Sequence, residues 1–471
     1  MEPVGQIEEF RQRLEERLLL PLTRASRGYY LLVGALLLVV AWGVYAYSTQ
    51  FREGLYVTGM RDRILWGLYI INFVFFIGIS HAGTLISAIL RVSKAGWRVP
   101  ITRMAEFITL VALMIGAQFP IIDMGRPDRV QNIFLFGRWQ SPVVWDVFAI
   151  TTYITGSFIY LYLPLIPDLA LARDRIGHLV SPLKRMFYQV FSLGWHGTVG
   201  QKRYLGIALG IMMILIIPVA VSVHTVVSWV FAMQLREPWN NPMFGAFFVA
   251  GAIYSGIGTI VIVMAVLRKA YRLEEYITPQ HFINLGYMLA GFSLIMIYFN
   301  VLEFVTTGYK LAGEGEMHFN QLFTGALAPY FWFYMLGGMI APGLIILMPW
   351  TRNIAGVVTA SVLVDIGMWM ERYFIVVGGT RVPLMPYDPP TYAPTWVEWS
   401  IQAAAFAGFS LIIAIAIKLV PVIAIWEVAE HYEEEKVVSR REAVAGGYEP
   451  EPPPEPVLTS PGFRATGRRR T

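Results

Sequence analysis

The feature that most constrains this chain is a series of apolar stretches, each close to the length that spans a membrane. A helix of about 20 apolar residues crosses the hydrocarbon core of a bilayer. Ten such stretches predict an all-α, polytopic membrane protein, and they cover residues 29–48, 66–90, 105–123, 143–164, 204–233, 245–267, 282–305, 326–348, 353–376 and 398–420.

Composition supports the same class of protein. Hydrophobic residues make up 56% of the 471 residues and charged residues 15%, whereas soluble domains carry about 25% charged residues. The chain has no cysteine, which excludes a disulfide framework, a thiolate-held iron–sulfur cluster and a cysteine nucleophile. It also lacks a Walker loop, a G-x-S-x-G elbow and a Rossmann fingerprint. We therefore do not expect a soluble enzyme or a nucleic-acid-binding protein.

Three regions are predicted from the distribution of polar residues. Residues 1–28 interleave Glu and Arg with Phe10 and several leucines, which indicates a cytoplasmic amphipathic segment. Residues 29–420 form the membrane domain. Residues 421–471 are a polar tail, which we expect to be mostly disordered from about 440 because it is rich in Pro and Glu.

Basic residues predict the orientation of the spans. Of the 37 Lys and Arg residues, 27 fall in the termini and in the loops on the side of the termini, against nine in the loops on the other side. Loops that carry the excess of Lys and Arg stay in the cytoplasm. Both termini are therefore expected to be cytoplasmic, in the inner membrane of a bacterium.

A short internal similarity suggests a duplication. Ala88–Arg91, at the end of the second span, reads Ala-Ile-Leu-Arg, and residues 265–268, at the end of the sixth, read Ala-Val-Leu-Arg. An offset of four spans preserves direction, so spans 2–5 and 6–9 are candidates for a repeated four-helix unit. Coincidence of four residues is an equally open interpretation.

Ionisable residues inside the predicted spans are candidates for function, because each costs about 2.5–3.5 kcal/mol to insert. The alternative for each is a polar contact between packed helices. In the predicted orientation most of them fall in the outer half of the membrane. They are His81, Glu106, Asp123, Asp146, His224, Glu303, Asp365, Glu371 and Arg372.

Arg372 is the most informative of these residues. Its guanidinium needs a carboxylate or carbonyl partner. Adjacent residues do not face each other on a helix, so we expect Arg372 to pair across helices rather than with Glu371, and Asp365 shares its face two turns away. Asn300 and Glu303 share a face of the seventh span and are candidates for a proton relay. Two intramembrane histidines do not match a four-histidine di-haem pattern, so no haem is expected.

Several separated motifs resemble the NrfD-like family of quinone-reactive membrane subunits. They are Gly-Ile-Ser-His-Ala-Gly-Thr-Leu-Ile-Ser-Ala-Ile-Leu-Arg at 78–91, Asp-Met-Gly-Arg-Pro-Asp-Arg at 123–129, Ser-Val-His-Thr-Val-Val-Ser-Trp at 222–229 and Phe-Val-Ala-Gly-Ala-Ile at 248–253. Tyr-Ile-Thr-Pro-Gln-His-Phe at 276–282 and Met-Glu-Arg-Tyr-Phe-Ile-Val at 370–376 resemble a membrane subunit of alternative complex III, of the C-type in preference to the F-type.

The resemblance implies two four-helix bundles with flanking helices, and a menaquinol site on the outer side. It also implies partners in a respiratory or photosynthetic complex: an iron–sulfur subunit on the outer face, a second NrfD-like subunit and cytochrome c subunits.

Quinol oxidation releases two electrons and two protons, so the site needs a proton acceptor with a pKa near neutral. His81, mid-membrane, is the candidate, with Gly78 and Gly83 leaving space for a flat ring. Asp123 and Asp146 are expected to orient His81 or pass its proton outward. Thr84, Arg126 and Arg372 complete the predicted quinone site, and the predicted proton path comprises His224, Asn300, Glu303, Asp365 and Glu371.

Two alternatives to a quinol-oxidising subunit remain, one from the residues and one from the resemblance. A secondary transporter would use the same buried charges, but its broken helices occur at corresponding positions of two repeats, and Pro218 and Pro342 do not correspond. The other is an F-type paralogue that conducts protons without a quinol site.

Overall fold

A computed structural model of the chain describes residues 3–445 except 237, 312, 384 and 386. The longer helices are α1 (Pro3–Thr23), α2 (Arg27–Glu53), α3 (Leu68–Val92), α4 (Val99–Gly116), α7 (Pro142–Ile176), α9 (Val199–Ala232), α10 (Phe244–Tyr271), α11 (Pro279–Lys310), α15 (Ile354–Arg381), α16 (Trp396–Leu419) and α17 (Ile425–Ala445). The shorter ones are α5 (Phe119–Asp123), α6 (Asn132–Phe136), α8 (Pro182–Phe191), α12 (Glu314–Phe323), α13 (Ala328–Trp332) and α14 (Ala341–Leu347), and a π-helical segment, Phe333–Ile340, joins the last two.

The prediction of an all-helical protein with ten spans is confirmed. Ten segments of the described chain are long and apolar enough to cross a membrane: α2, α3, α4 continued to Asp123, α7, α9, α10, α11, Ala328–Leu347, α15 and α16. Three of them, α7, α9 and α11, have 35, 34 and 32 residues. Helix α7 extends well past residue 164, the end of its predicted apolar stretch, and Asp168 in this extension pairs with Arg103.

Helix α3 is the centre of the structure. In its apolar window 94% of the residues are buried, against 11% for α2, which packs mainly against α16. Helices α3, α4, α7 and α9 contact one another in a closed ring, and so do α10, α11, α14 and α15. Helix α10 joins the two groups because it packs against both α3 and α9.

Glycines allow the central helices to approach closely. A Cβ atom at Gly256 of α10 would lie 2.1 Å from the Cβ of Ala82 on α3, and one at Gly83 would lie 2.2 Å from the Ala105 carbonyl oxygen on α4. Small residues at helix interfaces are the usual means of close packing in membranes, where no hydrophobic effect drives helices together. These positions therefore fix the spacing of α3 from both neighbours.

The π-helical segment in the eighth span has a covalent cause. Pro342 has no N–H, so the carbonyl oxygen of Gly338, four residues earlier, loses its helical partner. Tyr254 of α10 donates to that oxygen at 2.9 Å, and Ser293 of α11 donates to the next carbonyl, that of Met339, at 2.7 Å. The Tyr254 hydroxyl thus satisfies the carbonyl that the proline leaves free, and Ser293 supports the carbonyl next to it.

The end of the bundle that carries the N-terminus contains a second set of buried charges. Arg103 of α4 donates to Asp168 of α7, and the two side chains are 1% and 0% exposed. Asp168 also accepts from the backbone N–H groups of Ile425 and Trp426, and so caps the first turn of α17. Neither residue is among the intramembrane charges predicted from the sequence, because the hydropathy pattern places Arg103 and Asp168 in loops.

Glu106 belongs to the same region. It accepts from Ser87 of α3 at 2.7 Å and lies 3.5 Å from Arg91. Arg91 and Arg98 both contact Glu427 of α17, at 3.1 and 3.3 Å. The C-terminal helix is therefore held to the spans by charge pairs as well as by its cap.

The N-terminal segment forms an amphipathic helix. In α1, Leu14, Leu18 and Leu22 are buried at four-residue spacing, while Arg13 and Arg17 are exposed. The tail from residue 446, whose disorder is predicted from its sequence, lies outside the described residues.

The Gly256 contact gives a test of the packing. Alanine normally stabilises a helix by about 1 kcal/mol relative to glycine. Gly256→Ala is expected to lower the thermal unfolding midpoint and the yield, because its Cβ would overlap Ala82. Gly206→Ala in α9, where nothing lies within 4 Å, is the control and should unfold at an unchanged or higher temperature. Equal unfolding midpoints of the two variants would contradict the close contact between Gly256 and Ala82.

The Arg103–Asp168 pair gives a second test. Asp168→Asn leaves the Arg103 guanidinium buried without a counter-charge and weakens the cap of α17. Breaking a buried ion pair costs about 3–5 kcal/mol, so we expect a lower unfolding midpoint in detergent. Asp174→Asn removes a carboxylate that is 62% exposed on the same helix and should change the midpoint little. A midpoint for Asp168→Asn equal to that of the control would refute a stabilising role for the pair.

Candidate functional site

His81 lies near the middle of α3 and is fully buried. Its ring contacts two others from neighbouring helices. The ring centroid of Tyr153, on α7, is 4.7 Å away, and that of His224, on α9, is 4.5 Å away. The structure thus brings together two of the predicted residues, which are 143 positions apart in the chain, and adds a tyrosine.

The hydrogen bonds of His81 determine which ring nitrogen carries the proton. Nδ1 lies 2.6 Å from the carbonyl oxygen of Ile77. A carbonyl oxygen only accepts, so Nδ1 of the neutral ring is the donor and Nε2 carries the lone pair. Nε2 is buried and has no hydrogen-bond partner. His81 is therefore oriented as a base with a free acceptor nitrogen.

His224 is also fully buried, and neither of its ring nitrogens has a hydrogen-bond partner. On the side away from His81 its ring approaches that of Phe248, on α10, with centroids 5.8 Å apart. Buried polar atoms without partners are rare in folded proteins and point to a missing ligand or water. Three ring nitrogens of this imidazole pair, Nε2 of His81 and both nitrogens of His224, are buried without a hydrogen-bond partner.

Arg372 extends this site from α15. Its guanidinium lies over the ring of Phe248, 4.9 Å from the centroid, and its Nη1 donates to Glu371 at 2.5 Å. The expected cross-helix pairing was wrong: the long arginine side chain reaches back to the carboxylate of its neighbour. Nη2 has no partner, and the absence of a side chain at Gly251 makes room for it, since a Cβ there would lie 2.9 Å away.

Asn300 continues the row of polar groups on α11. Its amide donates to the Tyr334 hydroxyl at 2.9 Å and to the Met296 carbonyl at 2.7 Å. Glu303, one turn further on, is partly buried and has an interacting partner. Asp365 accepts from Thr259 of α10 at 2.9 Å. It lies two turns from Arg372 on the same helix and makes no pair with it.

The remaining predicted residues divide between the site and the surface. Thr84, one turn from His81, donates to Thr109 at 3.3 Å. Asp146 is buried two turns before Tyr153 on α7, and its Oδ1 has no partner. Asp123 ends α5, with one buried oxygen that has no partner. Arg126 is 63% exposed and paired with Asp128, so it does not join the buried cluster.

The interpretation of Gly78 and Gly83 as space for a ligand was wrong. Gly83 is covered by the backbone of α4, and a Cβ at Gly78 would contact Ser255 and Ala252 of α10 at 3.6–3.9 Å. Both glycines serve helix packing.

Two groups of functional interest were missed from the sequence. Tyr153 donates to the Ser80 carbonyl at 3.1 Å and its ring lies tilted against that of His81, but nothing in the apolar sequence around Tyr153 marks it. Glu398 is fully buried at the start of α16, where it accepts from Tyr392 at 2.5 Å and from the Gly59 amide at 2.6 Å. Thr395 three residues earlier forms a capping box with it, a signature that the sequence does contain.

The cluster has no metal-ligand character in the part of the chain that the structure describes. No group of three or more His, Asp or Glu side chains is placed to hold a metal ion there. The rings of His81 and His224 contact each other directly, which leaves no room for a porphyrin between them. The cluster instead presents ring nitrogens of His81 and His224, and one guanidinium nitrogen of Arg372, that have no hydrogen-bond partner.

Comparison with known proteins gives a consistent family. The model of the family described as "Polysulphide reductase, NrfD" matches residues 56–383. The chain is similar to a putative dimethyl sulfoxide reductase membrane subunit of Halobacterium salinarum, at 27% identity over 82% of this chain and 89% of the relative. It is also similar to an Hdr-like menaquinol oxidoreductase integral membrane subunit of Archaeoglobus fulgidus (23%, covering 85% and 96%).

A third relative is the menaquinone reductase integral membrane subunit of Nitratidesulfovibrio vulgaris, at 24% identity over 81% of this chain and 88% of the relative. The family match covers more than half of the chain and includes α3, α7, α9, α10 and α15, the helices that carry the histidine–arginine cluster. This multi-pass membrane protein belongs to the NrfD family.

Proposed function

We propose that this protein is the integral membrane subunit of a quinol oxidoreductase complex and that it oxidises menaquinol. The observation that carries the proposal is the free Nε2 of His81, buried beside a second imidazole without partners and close to an arginine with one free nitrogen. Two relatives are named for menaquinol or menaquinone, which supports this substrate class.

The residues present fit a quinol headgroup. Its hydroxyl groups donate, and Nε2 of His81 is placed as an acceptor. The free Nη2 of Arg372 can donate to a ring oxygen once that oxygen has lost its proton. The ring of Tyr153 supplies a flat apolar surface next to His81, and the ring of Phe248 supplies one next to Arg372. The polar and apolar parts of the site thus match the two parts of the ligand.

The chain's own residues can hold and move the released protons. His81 accepts at Nε2, because its tautomer is held by the Ile77 carbonyl. His224, in ring contact, is the next acceptor, and the free carboxylate oxygen of Asp146 lies further toward the end of the bundle opposite the N-terminus. Asn300, Glu303, Asp365 and Glu371 remain proposed members of a separate proton path, which would be the route for translocation.

Electrons have to leave through another subunit, because the sequence contains no cysteine to hold an iron–sulfur cluster. We propose an iron–sulfur subunit on the outer face, with a second NrfD-like subunit and cytochrome c subunits in the same complex. The motifs at 276–282 and 370–376 support alternative complex III and its C-type subunit. An F-type subunit would have the same fold without quinol turnover.

Location and domain boundaries are part of the proposal. The excess of basic residues supports cytoplasmic termini in a bacterial inner membrane, with residues 1–28 and 421–471 on the cytoplasmic side of the ten-span domain. A secondary transporter is disfavoured because Pro218 lies within the continuous helix α9 and Pro342 lies in the eighth span, so the two prolines do not mark broken helices at corresponding positions.

Replacement of His81 tests the proposed role. His81→Gln keeps a polar side chain of similar size but cannot accept a proton, and general-base assistance contributes about 10²–10⁴-fold. We expect quinol-driven turnover of the assembled complex, with saturating electron acceptor, to fall by about that factor while assembly is preserved.

The matched control is His281→Gln. His281 forms the capping box of α11 with Thr278, a position where Gln is an ordinary residue, so turnover should be unchanged. If His81→Gln turns over within about threefold of the wild type, His81 is not the base, and His224 and Arg372 become the candidates.

Orientation is tested by labelling, which the absence of cysteine makes simple. Arg138→Cys, between α6 and α7, is expected to react with a membrane-impermeant maleimide in intact cells. Lys202→Cys, at the start of α9, should react only after permeabilisation. Both residues are exposed, and labelling of permeabilised cells controls for shielding by partner subunits. The reverse pattern would place the site on the cytoplasmic side.

A further inference from the structure

A long cleft lies between the α2–α16 pair and the central helices α3, α10 and α15. Its volume is about 1640 Å³. Gln402 and Lys418, sixteen residues apart on α16, both line it. At 1.5 Å per residue the cleft is therefore about 24 Å long, close to the 20–22 Å of one leaflet with its headgroups.

The walls of the cleft are apolar and open to the membrane. Phe75 and Phe76 of α3 form its inner side, and Leu32, Val266 and Phe406 along its edges are 53%, 60% and 39% exposed. A space of this size inside the hydrocarbon region is filled by a molecule with long apolar chains, because water there would lack polar partners.

The end of the cleft nearest the N-terminus is basic. Arg13, Arg17, Arg24, Arg272 and Lys418 line it, against Glu16 and Glu275. None of the five cations forms an ion pair among the ion pairs of the described residues. Two of them, Arg17 and Lys418, bind carbonyl oxygens instead.

Lys418 shows this arrangement most clearly. Its Nζ donates to the carbonyl oxygens of Pro21 and Arg24, at 2.8 and 2.9 Å. It also lies 5.3 and 5.5 Å from the ring centroids of Tyr29 and Tyr271. Arg17 donates to the Arg272 carbonyl at 2.8 Å. The positive charge at this end is held in place without being neutralised.

We propose that the cleft binds one anionic phospholipid, with its phosphate at Arg24 and Lys418 and its acyl chains along Phe75, Phe76 and Phe406. Charge complementarity favours this occupant, since basic pockets between spans bind anionic headgroups. The lipid would fill the space between the α2–α16 pair and the central helices, and its binding does not depend on quinol oxidation.

The test measures phosphatidylglycerol bound to the intact purified complex, by native mass spectrometry and by titration of delipidated complex. Arg24→Gln with Lys418→Gln is expected to weaken binding about 30-fold, because each cation near the surface contributes about fivefold. Lys202→Gln with Arg203→Gln, which removes two exposed cations outside the cleft, is the matched control and should bind as the wild type does.

A second variant leaves the basic end intact, because loss of Lys418 also removes its bonds to the end of α1. Val266→Trp fills the apolar part of the cleft and should abolish retention of the lipid. Phosphatidylglycerol, and not phosphatidylcholine, should raise the unfolding midpoint of the wild type alone.

Three results would overturn the proposal. The first is binding that is unchanged in both variants. The second is a quinone in the cleft in place of phospholipid, lost on Asp365→Asn or Gln402→Leu, whose polar side chains line the deep end. The third is binding of phosphatidylglycerol only after deletion of residues 446–471, which would mean that acidic residues of this segment occupy the basic end.

Discussion

The structure depends on one constraint: inside a bilayer every polar group must find its partner within the protein. The Gly338 carbonyl, freed by Pro342, accepts a hydrogen bond from the Tyr254 hydroxyl. Asp168 pairs with Arg103 and accepts hydrogen bonds from the first turn of α17. Against this background of satisfied groups, an imidazole pair with three free nitrogens stands out. The cluster is identified by its missing hydrogen-bond partners, in a protein whose other buried polar atoms are mostly hydrogen-bonded.

That constraint explains how the site differs from the polar pairs around it. Arg103 and Asp168 neutralise each other and anchor a helix, so their charges are not offered to a ligand. The Glu371–Arg372 pair lies on one helix and satisfies only one terminal nitrogen of the guanidinium. Its second nitrogen remains available near Phe248, with Gly251 providing the space. Local pairing thus preserves a donor that a bidentate cross-helix ion pair would have consumed.

The number of spans, the helical class and the position of His81 inside a span could be predicted from the sequence, because hydropathy is a property of short segments. The partners of His81 could not. Tyr153 and His224 come from α7 and α9, and no local pattern in the sequence contains the rotation of these helices against α3. Arg103 and Asp168 fall in predicted loops because charged residues end a hydropathy window, although their pairing lets the helices continue. The capping box at Thr395 and Glu398 is readable in the sequence, but its burial is not.

The cap of α17 has a consequence for biosynthesis. The carboxylate of Asp168 belongs to the fourth span and accepts hydrogen bonds from the backbone N–H groups of residues 425 and 426. Those residues leave the ribosome about 260 residues later. During synthesis, therefore, Arg103 is the partner of Asp168 long before α17 exists. The last helix arrives at a carboxylate already oriented by its arginine. Insertion of the spans and docking of the C-terminal helix are in this way separate events. The end of the bundle that carries the N-terminus is completed last.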